Sequence, residues 1–76
     1  TAEGIRQWTD PIPASERKPG DIVYFQGTYN TPGASHVGIY VGGGMMIHCG
    51  NPCKFSNIDS GYFANHMLGY GRIPED

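Results

Sequence analysis

Nothing in these 76 residues is strongly charged, long and apolar, or rich in cysteine, and each shortage removes a class of function. Five basic residues are scattered among seven acidic ones, for a formal charge of −2. That balance leaves no electrostatic footprint for a nucleic acid or an anionic membrane. No run approaches the roughly 18 consecutive apolar residues of a membrane span, and no charged-then-apolar signal segment opens the chain. It begins with Thr1, and we read it as a processed product or a piece of something longer. Two cysteines, Cys49 and Cys53, are too few for a disulfide framework. The three residues between them permit a bridge without requiring one, so the compartment cannot be read from them. Twelve glycines and six prolines, nearly a quarter of the chain, argue against a helical bundle and for short strands and tight turns. There is no internal repeat and no low-complexity tract.

What remains is a globular composition, 38% hydrophobic, 12% aromatic and 16% charged, in one small domain with a small core. "TAEGIRQW" predicts a short helix, with Thr1 as its cap and Glu3 in its first turn. "TDPIPASERKPGD" carries three prolines and reads as a linker that ends in a turn. "DIVYFQ" is a strand by its β-branched and aromatic content, and "GTYNTPGA" is a loop. "NPCKFSNI" reads as an extended piece and "DSGYFANHM" as a turn or two of helix capped by Asp59 or Ser60. "LGYGRIP" is a last strand before an acidic end. The fold class these pieces predict is α+β, a small and mainly antiparallel β-sheet with short helices.

The informative stretch is "SHVGIYVGGGMMIHCG", Ser35 to Gly50. Strand side chains alternate, so Val37, Ile39 and Val41 share one side and His36, Gly38 and Tyr40 the other. On the return strand Met45, Ile47 and Cys49 stand against Met46, His48 and Gly50. We expect the first set of each strand to face the core, which needs an odd loop, Gly42 to Gly44, with a glycine in the left-handed conformation. Val41 then pairs with Met45, Gly38 lies opposite His48, and His36 is a diagonal neighbour about 7–8 Å away. Two polar residues on a wet sheet face are the plain reading of that pair. The functional one is chemical: an imidazole steered by a polar group on its other nitrogen is the base and orienter of a catalytic triad.

"PGDIVYF" followed by "SHVGIYVGGGMMIH" resembles the NlpC-type cell-wall cysteine peptidases over about Lys18 to Gly50. Weaker likeness continues through "DSGYFANHM" and "GYGRI" and back to "TAEGI". The resemblance implies that residues 1–76 are the C-terminal, β-rich half of a papain-like NlpC-type domain. It implies His36 as general base and His48 as the residue orienting it, with no metal or organic cofactor. It further implies secreted or cell-surface hydrolysis of bacterial peptidoglycan stem peptides, typically between D-glutamate and the following diamino acid.

The family's nucleophile is a cysteine at the start of an upstream helix, and the 35 residues before His36 contain no cysteine. Cys49 follows His48 directly and is expected on the opposite, core-facing side as a small buried hydrophobe. Cys53 lies beyond Pro52 with nothing to place it against His36, and Ser35 faces away from its neighbour. Tyr40 shares the histidine side and reads as a packing residue or a groove wall, while His66 reads as a surface residue. His36, His48, Cys49 and Cys53 hold the atoms of a zinc site, though their spacing matches no usual knuckle. A non-catalytic β-module that binds cell wall or a protein partner is the alternative of a different class. If the nucleophile helix is missing, one sheet face is bare and the chain is expected to be inactive and to self-associate.

Overall fold

A computed structural model describes residues 1–50 and 52–74; Asn51 and the acidic end, Glu75 and Asp76, lie outside the described residues. Thr1 behaves as its side chain dictates, its Oγ1 accepting the Gly4 amide at 2.9 Å to open helix α1 (Ala2–Trp8). The Glu3 carboxylate pairs with Arg6 and accepts the Ala34 amide at 2.7 Å, tying the helix to the sheet. These bonds, the one from Arg6 foremost, hold Glu3 down at a pKa of about 2.

Six strands follow: β1 (Asp10–Ile12), β2 (Ile22–Gln26), β3 (Ala34–Gly42), β4 (Met45–His48), β5 (Lys54–Asn57) and β6 (Met67–Arg72). They form one sheet in the order β1-β6-β2-β3-β4-β5, with every pair antiparallel. A short helix α2 (Gly61–Asn65) precedes β6, with Ser60 at its cap. The α+β, mainly antiparallel class read from the sequence holds. The proline-rich stretch does not remain a plain linker, because Asp10–Ile12 adds to β6 as the edge strand and Ala14–Glu16 makes one 3-10 turn. An edge position tolerates Pro11, which has no amide to donate.

In the β3–β4 hairpin Ile39 pairs with Ile47 and Tyr40 with Met46, the expected register. Val41 is then the extra residue of a bulge, so Gly42 pairs with Met45 and the turn is two residues rather than three. Gly43 and Gly44 carry it at φ 63° and 76°, the left-handed pair that a two-residue hairpin turn requires.

Which face is buried reverses the expectation. Tyr40, Met46 and His48 lie on the covered side with Val23, Phe25, Ile58 and Tyr70, and Met46 is 0% exposed. On the other side Ile39 is 45% and Phe55 63% exposed. That side is apolar as well, and Ala2 of α1 packs there against a second cluster of Ile22, Tyr24 and Ala34. Alternation locates a core only when the opposite face is polar, and here both sets of residues are apolar.

Two ion pairs close the covered side. Arg17 donates to both oxygens of Asp59 at 2.7 and 2.9 Å and to the Tyr70 hydroxyl at 2.8 Å, while lying 4.6 Å over the Tyr40 ring. Asp21, at the turn before β2, is buried and accepts two bonds from Arg72 at 2.9 and 2.8 Å and one from the Lys18 amide at 2.8 Å. Arg72 above all holds the Asp21 carboxyl below its ordinary range. Asp21→Ala strips these bonds from a site that joins the turn to β6 and is expected to cost roughly 2–3 kcal/mol. Thermal unfolding followed by circular dichroism should show a midpoint lower by about 10 °C.

Candidate active site

The site grows from one glycine. Gly38 of β3 faces the end of β4, where an added β-carbon would overlap the Met46 sulfur and come within 3.3 Å of the His48 β-carbon. Without that carbon, His48 leans across the sheet to its diagonal neighbour. His36 Nε2 and His48 Nδ1 are 2.8 Å apart, and the two rings stand perpendicular at 89°. The pair predicted from the register is therefore a hydrogen-bonded pair.

Aromatic rings enclose it. Phe63 of α2 lies 5.8 Å from His36 in a stacked arrangement and 5.1 Å from His48 edge-on, and Phe25 of β2 sits behind His36. His48 is 7% exposed and His36 half-buried, so the histidine side is no wet sheet face. Burial lowers the pKa of His36 below 6.5. Burial also lowers that of His48, with smaller contributions from the charges of His36 and of Lys54, its partner across β4 and β5. The remaining His36 nitrogen, Nδ1, has no hydrogen-bond partner among the described residues. His36 and His48 line a groove with Thr28, Tyr29, Lys54, Tyr62 and Phe63. A neutral imidazole with one nitrogen tied and the other open to a groove is built to take a proton from whatever lies there.

The other candidates fall away for physical reasons. Cys49 and Cys53 are bonded to each other, so neither is a nucleophile or a zinc ligand. Cys49 is exposed, against the expectation of a buried hydrophobe. Ser35 is buried, its Oγ taking the Thr28 amide at 3.0 Å and meeting the Thr28 hydroxyl at 2.5 Å. Tyr40 is a core residue whose hydroxyl accepts the Gly44 amide at 3.1 Å. His66 is no loose surface group, since its Nδ1–H donates to the Gln26 carbonyl at 2.8 Å and ties α2 to β2. Two residues of the site escaped the sequence reading. Phe63 was legible only as a helix position, and Ser56, whose Oγ lies 2.8 Å from His48 Nε2, depends on a β5 register that no local pattern specifies.

The sequence matches the NlpC/P60 family over residues 2–72. The chain belongs to that family. Among NlpC/P60 relatives it is 39% identical over 74 residues to the bifunctional muramidase/DL-endopeptidase CwlT of Bacillus subtilis, covering 96% of this chain and 22% of that protein. It is 44% identical over 66 residues to the "Probable endopeptidase p60" of Listeria monocytogenes, covering 86% of this chain and 13% of that one. The chain thus spans less than a quarter of either relative. A lipoprotein-like NLP/P60 structure from Staphylococcus aureus superposes on all of the chain with a TM-score of 0.92 at 30% identity, and 26% of that structure is covered. The NlpC/P60 resemblance seen in the hairpin motifs therefore extends to the whole described fold.

The lowered histidine pKa values carry a stability consequence of fixed sign. The unfolded chain binds more protons than the folded one below about pH 6.5, so folding is fully supported above that value and weakens as pH falls through it. Denaturant midpoints should be level from pH 8 to 7 and decline towards pH 5. The double substitution His36→Gln with His48→Gln should flatten that decline.

Proposed function

We propose that this chain supplies the base and the orienting imidazole of a cysteine endopeptidase that cleaves peptidoglycan stem peptides, its thiol coming from a segment outside these 76 residues. The observation that carries the reading is the 2.8 Å bond between His36 Nε2 and His48 Nδ1 with His36 Nδ1 left open on the groove. The endopeptidase names of the relatives support the same class.

In this mechanism the thiol proton passes to His36 Nδ1 and the thiolate adds to the scissile carbonyl carbon. The C–N bond breaks, the leaving amine takes the proton from His36, and a thioester remains. Water then gives its proton to His36 and splits the thioester, returning the thiol. His48 holds the imidazole throughout, with Nδ1 as acceptor of the His36 Nε2–H. The bond cut is that between D-glutamate and the diamino acid, at the bacterial surface or outside the cell. Residues 1–76 act as the β-rich half of the catalytic domain. The thiol must arrive in the groove beside His36, while the exposed apolar side around Ile39 and Phe55, on the opposite face of the sheet, is bare in the isolated chain.

The chain alone, with both sulfurs in a disulfide, is expected to leave stem peptides intact. The same chain extended through a thiol-bearing helix should cleave them, and His36→Ala should reduce that rate by about 10²–10⁴-fold. Undiminished cleavage by His36→Ala would overturn the assignment, and retention on peptidoglycan without any cleavage would favour a non-catalytic module. Light scattering on the isolated chain should report association through the bare side, relieved by Ile39→Lys with Phe55→Lys.

A further inference from the structure

We propose that Ser56 is a positioning residue of this site, its hydroxyl oxygen taking the Nε2–H of His48 so that the histidine pair receives a proton at His36 Nδ1. The inference rests on the peptidase reading above and extends it by one residue. Ser56 lies on β5, opposite Met46, one step diagonally from His48. Its Oγ is 2.8 Å from His48 Nε2, while His48 Nδ1 is 2.8 Å from His36 Nε2.

A neutral imidazole has one donor and one acceptor nitrogen, so the line His36–His48–Ser56 has only two proton arrangements. In one, His36 Nε2–H donates to His48 Nδ1, and His48 Nε2–H donates to Ser56. In the other, every bond is reversed, His36 carries its proton on Nδ1, and the groove-facing nitrogen is no longer a base. Once His36 Nδ1 has taken a proton, both its nitrogens are donors, and only the first arrangement survives. His48 must then accept at Nδ1, carry its own proton on Nε2, and find an acceptor there. Ser56 Oγ is that acceptor.

The bond also fixes the ring. Turning the His48 imidazole over would set carbon against both His36 and Ser56, so two bonds on opposite edges hold one orientation. The charge on His36 polarises the His48 ring that accepts from it, which strengthens the bond from His48 Nε2–H to Ser56, so Ser56 favours the protonated pair over the neutral one. The other groups that face the pair are Lys54 across from His48, Tyr29 and Tyr62 along the groove, and the uncharged rings of Phe25 and Phe63.

The test is an NMR titration of the 76-residue chain labelled with ¹⁵N in its histidine rings. In the singly protonated pair His48 is expected as the Nε2–H tautomer. Ser56→Ala should lower the apparent pKa of the pair by about half a unit to one unit, roughly three- to tenfold in proton affinity. Ser56→Thr keeps the hydroxyl on a strand and should restore the parent value. An Nδ1–H tautomer of His48 in the singly protonated pair of the unsubstituted chain would overturn the proposal, whatever the variants do. So would an unchanged pKa in Ser56→Ala while the β5 amide signals keep their positions. Because the reading is taken on ring nitrogens, failure of the longer polypeptide to cleave stem peptides would refute the peptidase assignment and leave this result standing.

Discussion

The register of the β3–β4 hairpin is the constraint on which the rest depends. Ile39 opposite Ile47 puts Gly38 opposite His48, and only a glycine there lets His48 reach His36. A slip of one residue in β4 would send His36 and His48 to opposite sides of the sheet and turn Met46 out of the core. The bulge at Val41 protects this arrangement, because it absorbs the odd residue at the turn and leaves the pairs beyond it undisturbed. Tyr40 adds a second lock, spanning back to the Gly44 amide beneath the turn. The turn, the core and the site are thus one commitment made in nine residues of β3 and four of β4.

Much of this was legible because the hairpin is local. Its glycine turn lies between two alternating runs, and parity alone puts the two histidines on one side. Which side is buried was not legible, since Val37, Ile39 and Ile47 are as apolar as Tyr40 and Met46, and only the distant Ile58, Phe63 and Tyr70 decide between them. Those residues arrive just after β5, on α2 and on β6, ten or more positions beyond the end of β4. Strand β1 was hidden for the same reason: its partner Arg72 lies at the other end of the described chain, and two prolines mask its extended character. Ser56 was hidden because β5 has no alternation to read, with Lys54, Phe55, Ser56 and Asn57 exposed or only half covered.

The site's electrostatics follow from where charge is absent. The chain's strong ion pairs, Arg17 with Asp59 and Arg72 with Asp21, are spent on closing the fold and stand away from the histidines. The groove itself holds imidazoles, phenyl and phenol rings, a hydroxyl and one lysine, with no carboxylate among its described lining residues. A carboxylate next to His48 would favour the charged imidazolium and raise the pKa of the pair. Neutral partners under partial burial do the opposite, which keeps both imidazoles uncharged near neutral pH and His36 available as a base.

That arrangement places its orienting residues at the least secure part of the sheet. Among the described residues β5 is an edge strand paired only with β4, and it brings both Lys54 and Ser56 to His48. The Cys49–Cys53 disulfide spans the step from the last residue of β4 to the first of β5, immediately beside His48 and Lys54. Closing so short a loop contributes only about 2 kcal/mol through the unfolded chain. Its larger effect is local, since it restricts how far the first residues of β5 can move from His48. The two cysteines, which in sequence look like rivals for the nucleophile's part, thus serve the histidines as a clasp. A Ser56 hydroxyl held within hydrogen-bond distance of a ring needs such a clasp more than a carboxylate would, because a neutral bond has less energy with which to hold its own strand in place.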